Sequence, residues 1–335
     1  MIRSDEYMAA ENDFFDRLRG LTEAYLTRRQ RAKRIKKEKT QAKNPVIDWI
    51  EAFVWAAGMV LLINQYLFQA YAIPSGSMID TLLIRDRIFV NKIVFGPEFL
   101  PGVGKLPSPL TPRRNDVIIF ENPSYISRGP VFDIAQRIIY MLTVSLVDID
   151  RDENGEPKAH FLIKRAAGMG GDRFVSERGE MAIRFAGEDR WVRERDYNAA
   201  LGIGHNLSRL LSESDYPALE AAGKATAYMD LGLNPPSDLA ALASQVHSLQ
   251  YPDSFAYGRA RLEVLRGAYP QDNRYRAALA RQTLGWYVPD GYMLPLGDNR
   301  DNSRDGRYFG PVKINKVLGK AFIIYWPLAR MGGIR

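Results

Sequence analysis

Ala72-Ile73-Pro74-Ser75-Gly76-Ser77-Met78 sets a small hydroxyl on a Pro/Gly turn, a few residues past the only long apolar run of this 335-residue chain. Proline stiffens the approach to the serine, and glycine lets the backbone come close to a bound peptide. The Ser77 amide and the Ser75 hydroxyl are both placed to donate to an oxyanion developing nearby. Such turns are common in proteins. What the turn means depends on what flanks it.

Upstream lies Ala52 to Ala70 (AFVWAAGMVLLINQYLFQA), whose only polar members are Asn64, Gln65 and Gln69. As a helix this stretch is roughly 28 Å long, close to the hydrocarbon thickness of a bilayer. Trp49, Trp55, Tyr66 and Tyr71 can anchor its ends at the interfaces. A buried core helix is the alternative, but the preceding block argues against it. Between Arg28 and Lys43 stand nine Lys/Arg against Glu38 alone, a net +8 in a chain whose total is +7, which leaves the remainder at −1. A nucleic-acid binder needs a basic face on its folded part, so no nucleic-acid partner is expected. The block reads as a topology signal that keeps residues 1–48 cytoplasmic and sends everything after about Tyr71 to the outer side. The run begins too far into the chain for a cleavable leader. Val131 to Ile149 is a second apolar segment, interrupted by Asp133 and Arg137, and fits an amphipathic helix against the membrane or the core.

Downstream, short runs of branched and aromatic residues are separated by Gly, Pro, Asn and Asp: 87–94, 116–120, 160–166, 181–185, 292–295 and 317–326. That pattern predicts an antiparallel β core. From about Asp196 to Leu284 the texture becomes Ala/Leu/Arg-rich with helical spacing, broken by Pro235-Pro236 and Pro252. The expected class is mainly β, with an α-helical insertion and one N-terminal transmembrane helix. The expected divisions are a tail 1–48, an anchor 49–71, a first catalytic part 72–195, the insertion 196–284 and a second catalytic part 285–335. Without cysteine, the chain has no disulfide framework, cysteine nucleophile or thiolate metal site.

A serine hydroxyl needs a base. The three histidines, His160, His205 and His247, have no convincing acidic partner in sequence. A lysine can serve if apolar burial brings its pKa from ~10.4 toward neutrality. Lys164 in Phe161-Leu162-Ile163-Lys164-Arg165-Ala166-Ala167-Gly168 fits: on a strand it points away from the face shared by Ile163 and Arg165. Without the serine turn, a solvated strand lysine is the better reading.

With Gly297-Asp298-Asn299-Arg300-Asp301-Asn302-Ser303-Arg304-Asp305 added near the C-terminus, the three stretches in this order resemble the type I signal peptidases, the membrane-bound Ser-Lys proteases. The resemblance implies a β-rich catalytic domain resting on the bilayer, with Ser77 as nucleophile, Lys164 as general base, and Ser75 with the Ser77 amide as oxyanion hole. It implies that Ser303 orients the Lys164 ammonium, and that Asp298 pairs with Arg165 and Asp305 with Arg307 as supports. Tyr71, Ile73, Met78, Leu82, Ile119, Leu162 and Ile163 match positions lining pockets for small residues at −1 and −3 of a signal peptide. The substrate strand is expected on the edge near Ile119 and Leu162. No cofactor or metal is implied. Implied partners are preprotein signal peptides, the lipid bilayer and the secretion translocon, at a single-pass site in the inner or plasma membrane. Asp80, Arg85 and Gly170 stand where proline, glycine and proline are usual. The 125–150 segment and the insertion are longer than in compact members, leaving a lid, a partner surface or a membrane pad open as their role.

Overall fold

A computed structural model describes residues 22–35, 45–100, 103–108, 110–143, 146–151, 155, 158–203, 211–248 and 253–334. The chain divides into two compact units, Met1–Met59 and Val60–Arg335. The first holds a helix over 22–35 (α1) and most of α2, Pro45–Leu62. The stretch Pro45–Leu67, 23 residues at a mean hydropathy of 1.9 and with no residue of its apolar window buried, is one helix long and apolar enough to cross a membrane.

The second unit begins inside α2 and corrects the expected end of the apolar helix. A wider π-helical turn, Ile63–Leu67, closes it, and Phe68–Ala72 is already a strand, β1. Polarity explains the early stop. Asn64 and Gln65 are buried rather than lipid-facing: Gln65 Nε2 donates to the Glu98 carbonyl at 2.9 Å, and Asn64 Nδ2 to Val60 O at 2.9 Å. Gln69, on β1, accepts from the buried Lys92 Nζ at 3.2 Å.

The strands that follow are β2 Arg87–Asn91, β3 Glu98–Leu100, β4 Val103–Lys105, β5 Val117–Glu121, β6 Phe161–Met169, β7 Arg173–Glu177, β8 Glu180–Arg184, β9 Val192–Arg193, β10 Trp286–Tyr287, β11 Tyr292–Leu296, β12 Val312–Lys313, β13 Val317–Trp326 and β14 Gly332–Gly333. An antiparallel sheet runs β1-β2-β13-β5-β6-β11-β12, with β14 on β13; β10-β7-β8-β9 and β3-β4 form two smaller sheets. β5 shows why the order holds. Val117 and Ile119 enter one apolar cluster with Tyr71, Ile73, Met78, Leu82 and Ile88, while Ile118 and Phe120 enter another with Phe95, Met293 and Val317. A strand buried on both faces needs a continuous apolar run, and Val117-Ile118-Ile119-Phe120 supplies it.

Helix α3, Pro130–Leu142, lies between β5 and β6. At 13 residues it is roughly 20 Å long, too short to cross a bilayer. The strands on either side of it pair in one sheet, so both of its flanks lie on the same side. Val131, Ile134, Ile138 and Leu142 form an exposed apolar stripe, opposite Gln136 and Tyr140 on the inner face. Between β9 and β10 come helices α4 Glu194–Ala200, α5 Tyr216–Asp230, α6 Ser237–Ala243, α7 Ser254–Ala268 and α8 Asn273–Leu284; α9, Gly306–Phe309, follows β11. Arg85 has φ +74°, a backbone conformation that suits glycine and costs other residues roughly 1–2 kcal/mol.

Candidate active site

β1 delivers the chain to Ile73, and a tight 3₁₀ turn over Gly76–Met78 buries Ser77. β6 brings Lys164 to it from 87 residues downstream, with Nζ 2.6 Å from Ser77 Oγ and 3.0 Å from the Ile163 carbonyl. Lys164 is 4% exposed. Burial lowers its pKa from 10.5 to about 8; Asp305 and Asp298 push the other way, and Arg307 adds to the lowering.

The acidic-basic loop after β11 holds both partners. Arg165 donates Nε to Asp298 Oδ1 at 2.8 Å and Nη2 to Oδ2 at 2.6 Å, a buried bidentate pair that Thr81 Oγ1 joins at 2.5 Å from Oδ2. Asp305 accepts from Arg307 Nε at 2.9 Å and from the Gly297 amide at 2.9 Å. The expected Ser303–Lys164 hydrogen bond is not formed: among the described residues Ser303 Oγ is buried without a partner. It packs against Gly297, while Nζ already contacts Ser77 and Ile163. Ser75 is exposed and lines the cleft beside Ser77.

Three contacts have no counterpart in the sequence reading. Asn299 clamps the serine turn, its amide donating to Ser77 O and its Nδ2 to Gly76 O, both at 3.1 Å. Arg300 Nη1 meets Glu194 Oε2 at 2.6 Å in a fully buried pair, tying the loop to the start of α4. Gly297 has no room for a side chain, because a Cβ there would collide with Ser303 Oγ and the Ser77 carbonyl. Gly297, Asn299 and Arg300 lie inside the quoted loop; Glu194 carried no local signal.

A cleft of about 460 Å³ opens beside Ser77. Tyr71, Ile73, Met78, Leu162 and Ile163 line it. Leu82 and Ile119 do not; both are fully buried in the apolar cluster behind it. The free edge also differs from expectation. β5, which carries Ile119, is paired on both sides, whereas β11 covers β6 only from Arg165 to Met169. Among the described strands, the open edges facing the cleft are Phe161–Lys164 of β6 and the end of β1.

His160 does have an acidic partner, unlike its sequence reading: Nε2 lies 2.9 Å from the fully buried Asp150. Burial lowers its pKa below the usual 6.5. It stands four residues before Lys164, roughly 13 Å along a strand. His205 lies outside the described residues, as does the side chain of His247. The described residues contain no group of His, Cys, Asp and Glu that could hold a metal.

Comparison with known proteins agrees with this architecture. The family model described as "Signal peptidase, peptidase S26" matches residues 46–326. Signal peptidase I of Haemophilus influenzae is 25% identical over 300 residues, covering 88% of this chain and 73% of the relative. Signal peptidase I of Pseudomonas aeruginosa is 25% identical over 310 residues (89% and 79%), and that of Aquifex aeolicus 26% identical over 273 residues (80% and 79%). With a match spanning most of its length, the chain belongs to the signal peptidase family, peptidase S26, and is a serine peptidase.

Proposed function

We propose that this peptidase cleaves signal peptides from exported preproteins with Ser77 as nucleophile and Lys164 as general base. The observation that carries the reading is the 2.6 Å approach of a desolvated lysine amine to a buried serine hydroxyl. The neutral amine takes the Ser77 proton as Oγ attacks the carbonyl carbon of the scissile bond. The Ser77 amide and the Ser75 hydroxyl stabilise the oxyanion. Collapse breaks the C–N bond, and Lys164 returns its proton to the leaving amine. Water then attacks the acyl-enzyme as Lys164 takes its proton; the acyl C–Oγ bond breaks and Lys164 returns that proton to Ser77 Oγ, releasing the signal peptide.

The substrate strand fills the gap between the open edges of β1 and β6, its backbone hydrogen-bonding across and its −1 and −3 side chains entering the apolar cleft. Period-two alternation puts both side chains on one face. Small residues of the Ala-x-Ala type suit a cleft closed by Ile73, Met78 and Ile163. α2 anchors the enzyme with residues 1–48 in the cytoplasm and the β domain outside; the +8 block beside Pro45–Leu67 supports that orientation.

Ser77→Ala and Lys164→Met should each abolish processing of an Ala-x-Ala preprotein, measured by the mobility shift to mature product; normal cleavage by either would sink the assignment. Orientation can be tested directly because the chain has no native cysteine. A single cysteine at Leu328 should react with an impermeant maleimide from outside intact cells, and labelling only after lysis would reverse the topology.

A further inference from the structure

The roof of the cleft comes from the long β5–β6 connection. Tyr140 and Gln136 of α3, with Leu146 beyond it, line the same cavity as Ser77 and Lys164. Three residues before Lys164 on β6, roughly 10 Å along the strand from the lysine that meets Ser77, three aromatic rings that line the cavity come together. Tyr71 stands 5.9 Å edge-on to Phe161 and 6.1 Å from Tyr140. Two of these rings belong to the strands that would flank the substrate; the third hangs from the roof.

The roof is fastened. Arg137 pairs with Glu98 at 3.2 Å and lies 5.1 Å above the Phe161 ring. Gln136 Nε2 donates to Asp148 at 2.8 Å. Asp150, fully buried, gathers Arg128 at 3.0 Å, His160 at 2.9 Å and the Tyr125 hydroxyl at 2.9 Å. A wall tied at three places, each through a buried partner (Glu98, Gln136 or Asp150), resists displacement, because that partner would lose its contact away from water.

Resting on the signal-peptide reading above, we infer that Tyr140 is the specificity-determining residue of the −3 subsite, its ring setting the largest side chain the remote end of the cleft admits. An extended substrate with its −1 residue beside Ser77 carries its −3 side chain roughly 7 Å further along the same face, toward the Tyr71–Phe161–Tyr140 cluster. A leucine or phenylalanine there meets the Tyr140 ring. Alanine does not. Removing that ring frees more space than leucine adds over alanine.

The test is a competition assay with the full-length protein in detergent micelles, using paired preproteins that differ only at −3 (Ala or Leu) and share Ala at −1. The ratio of kcat/KM values is independent of how much enzyme is active, so partial misfolding of a variant does not bias it. The native protein should favour Ala over Leu by at least about tenfold, and Tyr140→Ala should shrink that preference by about tenfold, in the range one or two methylenes are worth in a closed pocket. Asp150→Asn, which loosens the roof without touching the cleft chemistry, should shrink it in the same direction, and Tyr140→Leu provides the comparison if the alanine variant fails to fold. Equal cleavage of both substrates by the native protein, or a ratio unchanged in the Tyr140 variants, would overturn the inference. Failure of the native protein to cleave even the Ala substrate would instead strike the signal-peptide reading beneath it.

Discussion

Changing pH is the most direct perturbation of the proposed dyad. Only the neutral amine can take the Ser77 proton, and Lys164 has a pKa of about 8. At pH 7 roughly a tenth of the molecules then carry a competent base, against about three in ten thousand for a lysine at the ordinary 10.5, a gain of about 300-fold. kcat/KM for a preprotein should rise about tenfold per pH unit below 8 and flatten above it, read from processing rates in detergent between pH 5.5 and 9.5. A profile half-maximal near 6.5, surviving in Lys164→Met, would point to a histidine and refute the argument. The same shift has a stability counterpart. Folding lowers this pKa, so below about pH 8, where folded and unfolded chains are both protonated, the native state carries the full cost of the buried ammonium, about 3 kcal/mol for a shift of this size. The cost fades as pH rises from 8 to 10.5. Lys164→Met should therefore unfold at higher denaturant concentration than the native protein at pH 7, and the difference should narrow toward pH 10. An identical gap at both pH values would show that packing, not charge, produced it.

Two further outcomes follow from the loop after β11. Gly297→Ala places a methyl against Ser303 Oγ and the Ser77 carbonyl, so kcat should fall by more than about 100-fold with the fold retained by circular dichroism; activity within a factor of two would show that the turn has slack. Asp298→Ala strips its carboxylate from the buried Arg165 guanidinium, which costs about 3–5 kcal/mol, so the melting temperature should drop markedly; a loss under about 1 kcal/mol would mean the neighbouring acceptors compensate.

Much of this fold was legible because its strands are written locally. Six predicted runs overlap β2, β5, β6, β8, β11 and β13, each an apolar stretch bounded by turn residues. β1 was not legible. Phe68-Gln69-Ala70-Tyr71-Ala72 reads as more of the apolar helix, and only its pairing with β2 makes it a strand. β7 was missed because Arg173 and Glu177 bound a core of just Phe174, Val175 and Ser176. At the site, neither the serine turn nor the apolar lysine strand sufficed alone; Ser77 and Lys164 could be named only from the two together with the Gly297–Asp305 stretch. Glu194 could not. It sits among charged neighbours in Arg193-Glu194-Arg195-Asp196, and nothing local distinguishes it from a solvated carboxylate; its burial against Arg300 is purely tertiary. Ile119 and Leu82 failed for the converse reason: apolar residues near a cleft and apolar residues behind it look alike in one dimension.

The pairing of charges around Lys164 explains how a lysine can act as a base beside two carboxylates. Asp298 and Asp305 each raise its pKa and so favour the charged ammonium. Both carboxylates are held by an arginine, Asp298 by Arg165 and Asp305 by Arg307; Arg307 opposes them at Nζ, and desolvation, the largest influence, prevails. The arginines cannot lose their protons near neutral pH, which fixes that opposition across the range in which the enzyme would work. The Asp305–Arg307 pair would then belong to the chemistry as well as to the fold. Neutralising Arg307 alone, as in Arg307→Met, should both destabilise the protein and move the rate profile toward higher pH, because it removes a lowering influence and unmasks Asp305. A loss of stability with the profile unmoved would reduce the pair to scaffolding.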